Sequence, residues 1–200
     1  MATVNEVYGF LDKLAPFDLQ MDFDNAGFLV GRGETQVKRL LVALDITLPV
    51  VQEAAEKGCQ LIVSHHPVIF HPVKALTDQS ATGRVLLALA EGHMAAICAH
   101  TNLDAAEGGV NDQLAKRLGL TDIALLEQDG TDRWGRPYGI GRIGRVHAPG
   151  LSGAEYAAYV KEKLNANSVR FENAGVPVSR VAVGGGSCGS MLADVAAKGC

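Results

Sequence analysis

The stretch from Arg39 to Ser64, RLLVALDITLPVVQEAAEKGCQLIVS, reads as strand, helix and strand in succession. Leu40 to Leu44 is an unbroken apolar run, the pattern of a strand buried on both faces. Thr47 stands at a cap position, the helix spans about Leu48 to Lys57, and Gly58 closes it. Gln60 to Ser64 is again apolar. Two buried strands joined by a helix form a right-handed crossover in a parallel sheet.

The same rhythm continues outward. A helix over about Ala81 to Glu91 ends at Gly92, a strand follows over Met94 to Ala99, and a helix over Val110 to Leu118 ends at Gly119. Upstream, Thr3 and Glu6 have capping-box spacing, Val4, Val7, Leu11 and Leu14 form one helical stripe before Pro16, and Gly27 to Val30 reads as a strand. The polar, turn-rich run EQDGTDRWGRP, residues 127–137, breaks the pattern and reads as a boundary or hinge. Beyond it lie a glycine-punctuated strand region, Tyr138 to His147, and a helix from the capping box Ser152-x-x-Glu155 to Leu164. Strands at Val169 to Glu172 and Arg180 to Val183 and a final helix over Ser190 to Lys198 complete the chain. The expected class is α/β, with two similar lobes of largely parallel sheets flanked by helices. Residues 1–127 form the first lobe, 128–137 the connection, and 138–200 the start of a second, incomplete lobe.

A shift of 141 residues lays the opening segment on a second copy. RLLVALDITLPVVQEAAEKGC, Arg39 to Cys59, aligns without gaps on RVAVGGGSCGSMLADVAAKGC, Arg180 to Cys200, with six identities in 21 positions. Composition alone gives about one or two; the competing explanation is that any two βα units share such a pattern. In the first copy Cys59 leads into a strand that delivers Ser64, His65 and His66, whereas the second copy stops at Cys200. The repeat therefore predicts a second lobe one element short.

Composition narrows the function classes. With 48% hydrophobic and 20% charged residues the chain is a folded globular protein rather than a disordered one. No apolar run approaches the ~18 residues that cross a bilayer, and the N-terminus lacks the charged and apolar regions of a signal peptide, so a cytoplasmic location is expected. A net charge of −4, without a Lys/Arg block, argues against nucleic-acid and membrane-surface binding. Cys59, Cys98, Cys188 and Cys200 are widely spaced, as buried apolar groups would be.

The chemistry concentrates at strand ends, where open α/β sheets place their ligands. SHHPVIFHP, Ser64 to Pro72, follows one apolar strand, and AHTNLD, Ala99 to Asp104, follows another. Successive strand residues point to opposite faces, so His65 and His66 cannot share one ion if the strand runs through them. Pro67 makes that continuation doubtful, and at a strand terminus the pair can serve two neighbouring metals; a hydrogen-bonded pair of surface histidines is the bland alternative. His100 and Asp104 add an imidazole and a carboxylate, completing a donor set for zinc, iron or manganese. Asp45, ending a third strand, is placed to orient a histidine or bind water. His71 reads as a loop residue, and His93, after a helix end, as a local partner of the helix dipole.

FDNAGFLVG, the Asp45-Ile46-Thr47 turn, SHHPVIF, AHTNLD with GGVND, and YGIGRIG occur in the order found in the dinuclear metal-centre proteins called GTP cyclohydrolase 1 type 2 homologues, or NGG-interacting-factor-three-like proteins. The chain resembles that family from its first helix to Cys200. The resemblance implies two α/β lobes, a pair of divalent ions in a cleft, and toroidal hexamers built from dimers. It makes His65 and His66 ligands of different metals, joins Asp104 to His66, and leaves His100, Asn25 and Asp45 lining or supporting the site. Family members continue into a strand carrying a further histidine and a bridging glutamate. His147 is the only histidine after His100 here and lies outside that motif, so a fragment with weakened dinuclear occupancy is expected.

Three functions compete. The first is metal-assisted hydrolysis, with a purine nucleotide opened at its imidazole carbon as the substrate implied by the family label and His100 as the proton carrier. The second is dinucleotide binding through Gly184 to Gly189, GGGSCG, which satisfies G-x-G-x-x-G after a strand. The third is a metal-binding assembly or regulatory protein without turnover.

Overall fold

The computed structural model describes residues 1–148 and 150–200, which divide into two compact units, Met1–Leu103 and Asp104–Cys200. The first unit contains β1 (Ala2–Thr3), α1 (Val4–Leu14), β2 (Gly27–Val30), β3 (Gln36–Val37), β4 (Leu40–Ala43), α2 (Leu48–Glu56), β5 (Leu61–Ser64), α3 (Ala81–Glu91) and β6 (Ala95–Cys98). Helix α4 (Thr101–Ala105) carries the chain from one unit into the other. The second unit continues with α5 (Val110–Arg117), β7 (Thr121–Leu125), β8 (Gly130–Thr131), β9 (Pro137–Tyr138), β10 (Arg142–Arg145), α6 (Gly153–Lys163), β11 (Arg180–Val183) and α7 (Leu192–Ala197).

The α/β class holds, with the expected crossovers in the first unit. Its sheet has the order β2-β6-β5-β4, with β4, β5 and β6 parallel and β2 antiparallel on the far edge. Apolar residues of α2 and α3 pack on one face around Ile62 and Ala96, and α1 packs on the other around Leu61 and Ile97. The parallel reading does not extend to the second unit, where β11, β10 and β7 pair antiparallel.

Four further expectations are corrected. Strand β4 is not buried on both faces: it is the edge strand of its sheet, and Leu40, Val42 and Leu44 are exposed at that open edge. Leu14, assigned to the buried stripe of α1, is also exposed, since it sits on the helix flank. Residues Val169 to Glu172 form no strand. The turn-rich stretch 127–137 folds inside the second unit, where β8 and β9 make a hairpin. Its polar residues are turn chemistry, because Asp132 accepts bonds from the Trp134 and Arg136 backbone N–H groups.

The internal repeat extends into side-chain detail. Arg39 Nη1 donates to the Lys57 carbonyl at 2.9 Å, and Arg180 Nη1 donates to the Lys198 carbonyl at 3.0 Å. Gly58 and Gly199 end the two helices at φ +65° and +72°, a left-handed conformation that glycine adopts without steric cost. The helix that precedes each copy of the repeat also has a like lead-in. Ala2 bridges Val37 ahead of α1, and Leu151 bridges Val178 ahead of α6, each helix having 11 residues and a capping box. Thr3→Ala and Ser152→Ala are each expected to lower stability by about 1 kcal/mol, read as a lower urea midpoint; no change in either would show that the boxes do not hold the helices.

Candidate metal centre

Because β4, β5 and β6 are adjacent and parallel, the residues following them emerge side by side. Asp45 follows β4, His65 and His66 follow β5, and His100 follows β6. The His65, His66 and His100 ring centroids lie 5.1 to 5.6 Å apart. One ligand nitrogen from each lies within 4.8 Å of the others.

Each ring is oriented through Nδ1. His65 Nδ1 bonds the Ala99 carbonyl at 2.9 Å, His66 Nδ1 bonds Asp45 Oδ1 at 2.7 Å, and His100 Nδ1 bonds Asp24 Oδ1 at 2.8 Å. A carbonyl or carboxylate oxygen can only accept, so Nδ1 is the protonated nitrogen in each neutral ring and the ring lone pair resides on Nε2. Three imidazoles fixed in that tautomer suit a divalent transition metal, whose histidine ligands commonly donate their second nitrogen to a carbonyl or carboxylate. The donor chemistry thus fits the metal that the sequence motifs imply.

Asp24 is the site residue that sequence reading missed. Its side chain is fully buried and accepts four bonds, from the Thr101 hydroxyl, His100 Nδ1 and the backbone N–H groups of Asn25 and Thr101. Burial opposes its ionisation, but these bonds outweigh it and hold the carboxyl below its ordinary value. The Thr101 hydroxyl also accepts from the Met21 N–H, which ties this loop to the start of α4.

The other candidates take different places. Asn25 Nδ2 donates to the Ile69 carbonyl at 2.6 Å, anchoring the loop after the paired histidines. Asp104 is buried in the second unit, where its backbone carbonyl accepts from Asn111 Nδ2. His71 and His93 are exposed and outside the cluster, as is His147 in the second unit. The Cys98 thiol, behind the cluster, is pushed up to about 12, first by burial and then by the Asp24 charge, so it stays protonated. A cavity of about 370 Å³ adjoins His66 and Asp45 and is also lined by Ile46, Thr47, Pro67 and Arg84.

The glycine turn after β11 is packed against protein. Gly185 N–H donates to Asn111 Oδ1 at 2.8 Å, and a Cβ on Gly184 would meet Cys188 Sγ at 2.4 Å. These glycines serve close approach within the second unit, and Gly185 has no N–H left for a phosphate.

No helix among the described residues is long and apolar enough to cross a membrane. The sequence model of Duf34/NIF3 (NGG1p interacting factor 3) matches residues 2–200. The "GTP cyclohydrolase 1 type 2 homolog" of Streptococcus pneumoniae is 34% identical over 200 residues, 98% of this chain and 73% of that protein. The Streptomyces coelicolor homolog is 36% identical over 100% of this chain and 70% of its own length, and the Clostridium acetobutylicum homolog 31% identical over 84% and 62%. Among solved structures, the hypothetical protein SA1388 of Staphylococcus aureus superposes with a TM-score of 0.91 at 30% identity, covering 98% of this chain and 76% of that one. A Bacillus cereus protein related to NIF3 shares the fold, with a TM-score of 0.92 at 22% identity over 100% of this chain and 80% of that one. The chain belongs to the Duf34/NIF3 family.

Proposed function

We propose that this protein binds divalent metal through His65 and His66 and uses it to hydrolyse a small nucleotide, the GTP cyclohydrolase type of reaction that its relatives' label names. The observation that supports this reading most is the convergence of three imidazole nitrogens within 4.8 Å. A bound divalent ion supplies Lewis acidity and brings the pKa of a coordinated water toward neutrality. Asp45 and the Ala99 carbonyl hold the two ligand rings in their metal-binding tautomer. His100, with its Nδ1 proton held by an ionised buried carboxylate, takes the proton-carrying role at Nε2. Asp104 is a further ligand by the resemblance, as is the second ion. Zinc, iron and manganese all suit such donors. Assembly as a homo-oligomer, a hexamer built from dimers, belongs to the same proposal.

A metal-binding assembly without turnover is the alternative. The cavity beside His66 favours the enzyme, because its lining joins apolar Ile46 and Pro67 to the polar Thr47 and the Arg84 guanidinium beside Asp45, a mixed surface that suits a small polar substrate. After equilibration with zinc or manganese and removal of unbound ions, the protein is expected to retain metal by elemental analysis and to consume GTP. The double variant His65→Ala/His66→Ala is expected to lose both properties. Metal retention without GTP consumption would favour the assembly reading, and failure of the unsubstituted protein to retain metal would overturn both.

A further inference from the structure

Phe70 stands beside the imidazole cluster without a part in the core. It lies in the irregular loop that follows the paired histidines, is 39% exposed and belongs to none of the three apolar clusters. Its ring centroid is 6.2 Å from that of His100 at 83°, 4.8 Å from His71 at 68° and 6.5 Å from Phe23 at 60°. All three contacts are made at ring edges. Among the described residues, no ring therefore stacks parallel on Phe70.

The backbone around this ring is nevertheless fixed. Asn25 Nδ2 donates to the Ile69 carbonyl at 2.6 Å, and Asp24, next in the chain, holds His100 and the start of α4. That tie sets Phe23, itself 63% exposed, against Phe70. Pro67 and Pro72 restrict the loop on either side. Folding gains little from holding an exposed aromatic ring in place, but a ligand does, because a preorganised contact loses less freedom on binding.

Phe70 also lines a second cavity, of about 380 Å³, together with His71, Lys74 and Thr82. It adjoins the cavity beside His66, since Pro67, Val68 and Thr82 line both. The second cavity is of a size that takes a small planar ligand. Its walls pair the phenyl ring and Pro67 with the Lys74 ammonium, which only donates, and no carboxylate lines it among the described residues. Such a surface fits a flat ring that carries acceptor atoms at its edge. A bare phosphate or carboxylate has no face to lay on a phenyl ring.

We infer that Phe70 determines specificity by stacking on a planar, acceptor-bearing heteroaromatic ring of the substrate, with Phe23 buttressing it from behind. This rests on the hydrolase reading for its use and adds the part of the substrate that is recognised. Phe70 touches the ring and not the bond that breaks, so its effect belongs in binding rather than in the chemical step.

Nuclear magnetic resonance titration of the zinc-loaded protein tests this with two probes, guanosine for the ring and ribose 5-phosphate for a ligand without one. The guanosine base protons are expected to move upfield over the phenyl face. Phe70→Ala should weaken guanosine binding by about 5- to 150-fold, the span of base–aromatic stacking, and leave the response to ribose 5-phosphate unaltered. Phe70→Leu, which keeps apolar bulk, should still lose about 2- to 12-fold, whereas Phe70→Tyr should bind like the parent protein. Phe171→Ala, at an exposed phenylalanine of the second unit, should change nothing. In GTP turnover the Phe70→Ala loss should fall on KM, with kcat within about threefold and retained metal unchanged. Equal guanosine binding in Phe70→Ala and the parent protein, an equal loss of ribose 5-phosphate, or no guanosine shift in a protein that retains zinc would each overturn the assignment. Stacking of guanosine through Phe70 without consumption of GTP would sink the hydrolase reading and leave the ring site standing. A lower mass of Phe70→Ala in light scattering, with no guanosine shift in the parent protein, would give the ring to a protein contact instead.

Discussion

Arg142→Met is expected to destabilise the second unit by about 3–5 kcal/mol, the cost of removing one member of a buried ion pair. Arg142 is 2% exposed. Its Nε and Nη2 bond the two carboxylate oxygens of Asp112 at 2.8 and 2.9 Å, Nη1 donates to the Gly139 and Gly141 carbonyls, and Nη2 also reaches the Ala106 carbonyl at 3.1 Å. The fork thereby ties the start of β10 to α5 and to the segment that follows α4. Methionine fills the volume of the stem but takes the guanidinium away from the carboxylate, which keeps only the Gly108 N–H, and from the Gly139, Gly141, Ala105 and Ala106 carbonyls. The pH dependence carries a distinctive sign. Burial works against the Asp112 charge, but the Arg142 bonds and the Gly108 N–H hold its carboxyl below the ordinary value. A depressed folded pKa contributes stability above the unfolded value of about 3.9, lost as pH falls through the folded one. In the variant burial dominates and the folded pKa rises, so stability is fully present below the unfolded value and is lost as pH rises through the folded one. The difference between the two proteins in urea unfolding should therefore shrink toward acid pH. A difference below about 1 kcal/mol at neutral pH would show that the guanidinium is not the organising contact.

What could be read from the sequence follows from how local each signal is. Helices α1, α3, α5 and α6 end within about a residue of their expected limits, because caps and terminal glycines are written in adjacent residues. The crossovers of the first unit follow from strand and helix alternation. Strand β7 was missed, since Thr121 to Leu125 alternates only weakly and takes its place from pairing with β10. The antiparallel sense of the second sheet and the exposure of β4 are likewise properties of neighbours distant in sequence. In the site, the histidines were visible because each follows an apolar strand. Asp24 sits in a loop 76 residues from His100, with no periodicity to place it. The available signal was its position beside Asn25 in FDNAG, where a carboxylate in a short polar turn has only nearby backbone groups to suggest a use.

Asp24→Asn is expected to leave His65 and His66 in place while disordering His100. The native carboxylate offers only acceptors and uses them on four donors. An amide replaces one oxygen with an NH2 group, which must then face either the Thr101 donors or the Nδ1–H of His100. Facing Thr101 breaks the anchor of α4; facing His100 drives the ring proton to Nε2 and reverses its tautomer. The second orientation moves the lone pair off Nε2, and the first keeps the tautomer but loosens the segment that carries His100. Nitrogen-15 spectra of the imidazoles should show the change at His100, with little shift at His65 and His66, whose Nδ1 partners are Ala99 and Asp45. If His100 carries the proton, metal affinity falls less than about tenfold while metal-dependent turnover falls by about 10²- to 10⁴-fold, the scale seen when a histidine loses its orienting carboxylate. If instead His100 is itself a ligand, affinity drops by about 10–100-fold, as for other outer-sphere carboxylates. Measuring affinity and turnover on the same variant separates the two roles, and unchanged values of both would remove Asp24 from either.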